Sequence, residues 1–149
     1  MGLVEAYDLD QAADSQLANI STRGFVDTGD NVMIGGFIVG GGTLGSSTSV
    51  LVRGIGPSLA DGNPPVPRAL ADPTLELHDI NGAIVASNDN WKDTQKDEII
   101  ATTIPPTNDL ESAILAPLTA GAYTVILSGK DGGTGVALIE AYNFGSTAP

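Results

Sequence analysis

The sequence predicts an all-β protein: an antiparallel β-sandwich, jelly-roll-like, of about ten short strands. Three observations predict it. Short runs of Val, Ile, Leu and Ala recur along the whole chain with almost no helical periodicity. Nineteen Gly and nine Pro separate these runs, as tight turns between strands require. Hydrophobic residues make up 42% of the 149 residues but aromatics only 5%, so the core of this single domain must be aliphatic.

Each element follows from local pattern. Residues 3–7 (LVEAY) are strand-like, and the polar residues 8–16 form a linker. Residues 17–26 form a strand closed by a turn at residues 27–30. Residues 32–39 (VMIGGFIV) form an apolar strand whose paired Gly suggest a bulge or a close backbone approach. The Gly- and Ser-rich residues 40–49 read as a loop and residues 50–55 as a strand. Residues 56–73, with five Pro, form a long ordered loop. Residues 74–78 and 83–87 flank Asn81-Gly82, a hairpin signal. Residues 88–98 are a polar loop with room for one helical turn, and residues 99–104 a short strand ended by Pro105-Pro106. Residues 111–115 form a strand and residues 117–121 a turn, and residues 122–128 and 136–142 form a final hairpin.

One strand occurs twice. Leu3, Val4, Glu5, Ala6 and Tyr7 recur at the same intervals as Leu138, Ile139, Glu140, Ala141 and Tyr142. Glu and Ala are poor strand formers, so their recurrence in place points to two copies of one element. Residues 1–10 then read as the last strand of a preceding module, or as a donor strand. Residues 11–145 form the sandwich and residues 146–149 a tail. A single sandwich has one place for its terminal strand. A spare copy can seek the open edge of another molecule, and repeated head-to-tail contact closes a ring or extends a filament. The expected partners are self or neighbouring copies of the same module.

Charge and composition remove other classes. Eighteen acidic against six basic residues give a formal net charge of −12, which repels nucleic acid and anionic membranes. No stretch is long enough to span a membrane. The absence of Cys excludes disulfides, thiolate metal sites and a Cys nucleophile. Residues 1–10 lack the basic and apolar regions of a signal peptide, so an exported protein would carry this chain as a processed form or as part of something longer.

Residues 74–87 (TLELHDINGAIVAS), then Asn88-Asp-Asn-Trp91, Glu111-Ser-Ala-Ile114 and residues 118–125 (LTAGAYTV), carry a hairpin, a polar turn and an A-G-x-Y-x-V strand in order. In this they resemble the bacterial pre-peptidase C-terminal type of β-sandwich, specifically over residues 74–143. Residues 17–24 (LANISTRG), Thr28-Gly-Asp30, Ile34-Gly-Gly-Phe37 and residues 53–59 (RGIGPSL) are similar to a module repeated in large exported proteins of environmental bacteria. The resemblance implies an accessory, non-catalytic part at an extracellular or cell-surface location. The long Pro-rich loop and the repeated N-terminal strand depart from the pre-peptidase pattern.

Catalysis finds little support. The sole His, His78, neighbours Asp79 along a strand, and adjacent strand residues point to opposite faces. Neither a G-x-S-x-G elbow nor a phosphate loop is present. Calcium is the best ligand expectation, because Asp79, Asn81, Asn88, Asp89, Asn90 and Asp93 gather oxygen donors around one hairpin and loop, with Asp97 and Glu98 following. The spacing is not that of an EF-hand. The same residue types also serve turns through local hydrogen bonds, and this is the simpler reading. Asp27, Asp30 and Asn31 form a weaker cluster. Trp91 could stack on a sugar ring as a ligand contact, or fold back over the end of the sandwich, which we favour. Arg53 calls for an ion pair with Glu76, Glu111 or Glu140. Asn19-Ile-Ser21 matches a glycosylation acceptor.

The expected function is a non-catalytic extracellular structural or assembly module, a tandem-repeat or filament unit linked through terminal β-strands. The alternative is an accessory module of a secreted enzyme that binds carbohydrate or another extracellular polymer.

Overall fold

The computed structural model describes residues 5–6, 17–40 and 46–147. Eight strands lie among them: β1 (Asn19–Val26), β2 (Met33–Val39), β3 (Ser47–Ile55), β4 (Pro73–His78), β5 (Ile84–Asn88), β6 (Ser112–Leu118), β7 (Gly121–Gly129) and β8 (Gly135–Thr147). Two short helices interrupt them, α1 (Pro57–Ala60) and α2 (Lys96–Ala101). One sheet has the order β1-β8-β3-β6 and the other β2-β7-β4-β5, and every strand pairing is antiparallel. The chain passes from one sheet to the other at every connection except β4–β5, a hairpin within one sheet, and the two sheets form a β-sandwich.

Two of the ten expected strands account for the difference in number. Residues 3–7 lie outside the described residues except Glu5 and Ala6, which are exposed and carry no strand. Residues 99–104 are not a strand, because α2 takes Ile99 as its buried residue. Asp97 and Glu98 sit in the first turn of α2, where the helix dipole favours acids. Ile99 is fully buried and Ile100 is 46% exposed, so the pair serves one helical face and not a strand ladder.

Other boundaries shift where a pairing partner exists. Ser47 and Thr48, expected in a loop, begin β3 because they pair with Thr147 and Ser146, residues expected in a tail. Pro117, expected in a turn, lies inside β6, an edge strand whose outer side needs no N–H there. The Pro-rich residues 56–73, expected as one long loop, contain α1 and end at Pro73, the first residue of β4; Leu70 is buried in the core, and Ala69 bridges to Val136 beyond the end of β3. The Asn-Gly signal does mark a hairpin, β4–β5, in which Gly82 takes a positive φ of 78°.

The main core fills the space between the sheets with aliphatic side chains, among them Val26, Val52, Leu75, Leu77, Val125 and Leu127. A second, smaller cluster lies apart from it, where Leu51 of β3 and Ala113 of β6 meet Ile99 and Trp91.

Candidate functional site

The repeated motif locates the site. Leu138, Ile139, Glu140, Ala141 and Tyr142 lie in β8, paired on one side with β1 and on the other with β3. Although it is the terminal strand, β8 is an interior strand of its sheet. Its alternation explains the motif. Ala137 and Ile139 are buried towards the core, while Glu140 and Tyr142 share the opposite face.

That face holds Arg53. Its Cα lies opposite Glu140 across the β3–β8 ladder. The guanidinium donates from Nε to Glu140 Oε2 at 3.0 Å and from Nη2 to the same carboxylate. Nη2 also donates to Tyr142 Oη at 3.0 Å, and Nη1 to the Ile104 carbonyl at 2.7 Å. Tyr142 in turn donates to Glu140 Oε1 at 3.0 Å. The Arg53 and Glu140 side chains are only 15% and 12% exposed. Burial, and then the hydrogen bond to Glu140, push the Tyr142 hydroxyl above its ordinary range. Of the three acids named for Arg53, Glu140 is the partner. The role of Tyr142 was legible only as spacing: Glu and Tyr two apart on a strand must share a face.

The segment after Arg53 is equally committed. A Cβ on Gly54 would meet Ser112 Oγ at 2.6 Å, and one on Gly56 would meet the Leu70 carbonyl at 2.3 Å. Ser58 donates from its backbone N to Glu111 Oε1 at 3.0 Å and from its hydroxyl to the same oxygen. Asn108 N donates to Glu111 Oε2 at 3.3 Å, which completes the buried carboxylate's partners. This pins the Pro-rich loop to the start of β6.

The free edge of β6 is sealed by side chains that the sequence reading assigned elsewhere or missed. Asn88 Oδ1 accepts from Ala113 N at 2.9 Å. Gln95 accepts from Leu115 N at 3.1 Å and donates to the Leu115 carbonyl at 2.8 Å, as a strand would. Pro117 has no N–H to offer. An amide at spacing i, i+7 beside an apolar strand gave no recognisable signal.

The expected calcium donors are spread over separate tasks. Asp79 Oδ1 accepts from Asn81 N at 2.8 Å and Ala83 N at 2.9 Å, closing the β4–β5 turn. These backbone donors, Ala83 first, hold the Asp79 carboxyl below its ordinary range. Asn88 Nδ2 donates to the Asn90 carbonyl at 3.0 Å, and Asn90 Nδ2 to Asp93 Oδ2 at 3.3 Å. Asp89 accepts from Lys130 Nζ at 2.6 Å, so an ammonium already stands at that carboxylate. Asp72 Oδ1, Asp89 Oδ1 and Asn90 Oδ1 have no hydrogen-bond partner. Among the described residues, no group of three His, Asp or Glu side chains is placed to hold a metal ion. In the weaker cluster, Asp27 Oδ1 accepts from Thr28 N at 2.8 Å, and residues 29–31 form a 3₁₀ turn.

Trp91, named as a possible ligand contact, has no open face: it is 4% exposed. It packs with Leu51, Ile99 and Ala113, and its Nε1 donates to the Asn108 carbonyl at 3.1 Å. The ring folds back because the site under α2 offers it both apolar walls and an acceptor. Asn19 Nδ2 donates to the Ala141 carbonyl at 3.1 Å. His78 bonds Glu76 Oε2 at 3.0 Å, two residues back on the same face, and the Gly82 carbonyl at 3.1 Å. Two grooves of about 380 Å³ flank β5, and neither is lined by an aromatic side chain.

No family model matches the chain, and no curated protein matches it.

Proposed function

We propose that this chain is a non-catalytic structural module of an extracellular assembly, one unit of a tandem or filament array whose neighbours are joined through terminal β-strands. One observation carries the reading. The five-residue sequence that recurs near the N-terminus is, in β8, an interior strand paired on both sides, so residues 3–7 repeat the sequence of a strand that this fold uses. The likeness of motifs to pre-peptidase C-terminal and repeated export modules supports the same reading. So does the commitment of Arg53, Ser58 and the glycines between them to structural contacts. A sugar-binding role gains no support from Trp91, which is buried, or from the grooves beside β5, which lack a stacking surface.

Light scattering of residues 1–149 against residues 11–149 tests the proposal. The longer chain is expected to self-associate and the shorter to remain monomeric. Equal masses would overturn it.

A further inference from the structure

We propose that Arg23, Phe25 and Arg68 form a docking patch for a neighbouring copy of this chain, which presents Asp97, Glu98 and Ile100 of α2 to it. The inference rests on the assembly reading and assigns the contact that orients successive copies.

The patch lies on the outer face of the sheet, at β1 and β8. Val26 of β1 and Ala137 of β8 are buried towards the core. Arg23 and Phe25 therefore share the opposite face, paired with Leu138 and Val136. Residues 68–70 lie on the other side of β8, where Val136 N donates to the Arg68 carbonyl at 2.7 Å. From there the Arg68 guanidinium reaches the Phe25 ring, 4.7 Å from its centre. Phe25 is 43% exposed, and both arginines are exposed.

These two cations stay unpaired in a chain with an excess of anions. Acids outnumber Lys and Arg by eighteen to six. Arg53, Lys92 and Lys130 are each met by an acid, Glu140, Asp109 and Asp89. Among the described residues, neither the Arg23 nor the Arg68 guanidinium has an ion pair or a hydrogen bond. Arg68 also holds a positive φ of 57°, a costly conformation for a residue with a side chain.

The complement stands on the other half of the same face. There α2 packs Ile99 against Leu51 of β3 and Ala113 of β6. Asp97 and Glu98 are exposed and, among the described residues, unpaired, and Ile100 beside them is 46% exposed. Lys96 is the one base in this helix. An apolar side chain accompanied by two anions thus matches a ring accompanied by two cations. The net charge of −12 repels copies at a distance, but physiological salt screens beyond about 8 Å, so the contact follows its local charges. The two patches differ, so joining them is heterologous and extends a row of copies. Exposed ion pairs contribute little each, so the contact orients copies already joined and does not hold separate molecules together.

Charge reversal in the full chain tests the patch. Arg23→Glu with Arg68→Glu is expected to weaken self-association about tenfold in sedimentation equilibrium. Asp97→Lys with Glu98→Lys is expected to do the same, although it lowers the net negative charge and with it the long-range repulsion. All four changes together are expected to restore association, which also shows that the reversed chains fold. Unchanged association in either reversed pair, or a loss that the fourfold variant does not recover, would remove the patch. The assembly reading would still stand if deleting residues 1–10 abolished association. A wild-type chain that stays monomeric would remove both.

Discussion

Arg53 and Glu140 face each other across β3 and β8, 87 residues apart in the chain, and Tyr142 closes the pair from two positions along the strand. The three side chains fasten an interior strand of one sheet to the carbonyl of Ile104, beyond α2. The site is therefore a fastening between the sandwich and the segment packed outside it.

Removing one partner leaves the other charge poorly solvated. Arg53→Met and Glu140→Gln are each expected to destabilise the fold by about 2 kcal/mol, below the full buried-pair cost because both side chains keep some water contact. Replacing both with apolar residues is expected to recover much of the loss. Urea unfolding of the two single variants and the double variant measures the coupling.

Gln95 imitates a neighbouring strand on the edge of β6. Gln95→Ala frees one N–H and one carbonyl of Leu115 at that edge. A stability loss of about 1 kcal/mol is expected, together with a new tendency to associate edge to edge. Sedimentation at two protein concentrations separates this from association through residues 1–10, since it would persist when they are deleted.

His78 carries the pH dependence of the β4–β5 hairpin. Its pKa is raised above the ordinary 6.5, first by donation to the Gly82 carbonyl and then by Glu76. A base with a raised folded pKa stabilises fully below its unfolded pKa, and that contribution is lost as pH rises through the folded value. Stability of the wild-type chain relative to His78→Gln is thus expected to be greatest below about pH 6.5 and to shrink above it. Denaturant titrations across that range check the sign. A gap that widens with rising pH would refute the assignment.

Trp91 is the only Trp, so its fluorescence reports one site. A buried indole is expected to emit at short wavelength and to resist iodide quenching until the chain unfolds. Trp91→Ala is expected to cost about 3–5 kcal/mol through the cavity left beneath α2. Strong quenching in the native state would contradict the burial.

The sequence by itself determined the class of fold and most of its strands. Alternating aliphatic residues between Gly- and Pro-rich turns have few solutions other than two packed antiparallel sheets, and Asn81-Gly82 marked its hairpin because backbone conformation there is a local property. Residues 99–104 defeated the pattern, since two adjacent Ile suit a strand or a helix until something packs on one of them. Tertiary structure decided what depends on neighbours distant in the chain. It placed β8 in the interior of its sheet, chose Glu140 for Arg53, turned Trp91 inward and set Asn88 and Gln95 against the edge of β6. Side-chain type limits what a residue can bond, but its partner is selected by strand order and register, which come from the packing of the whole chain.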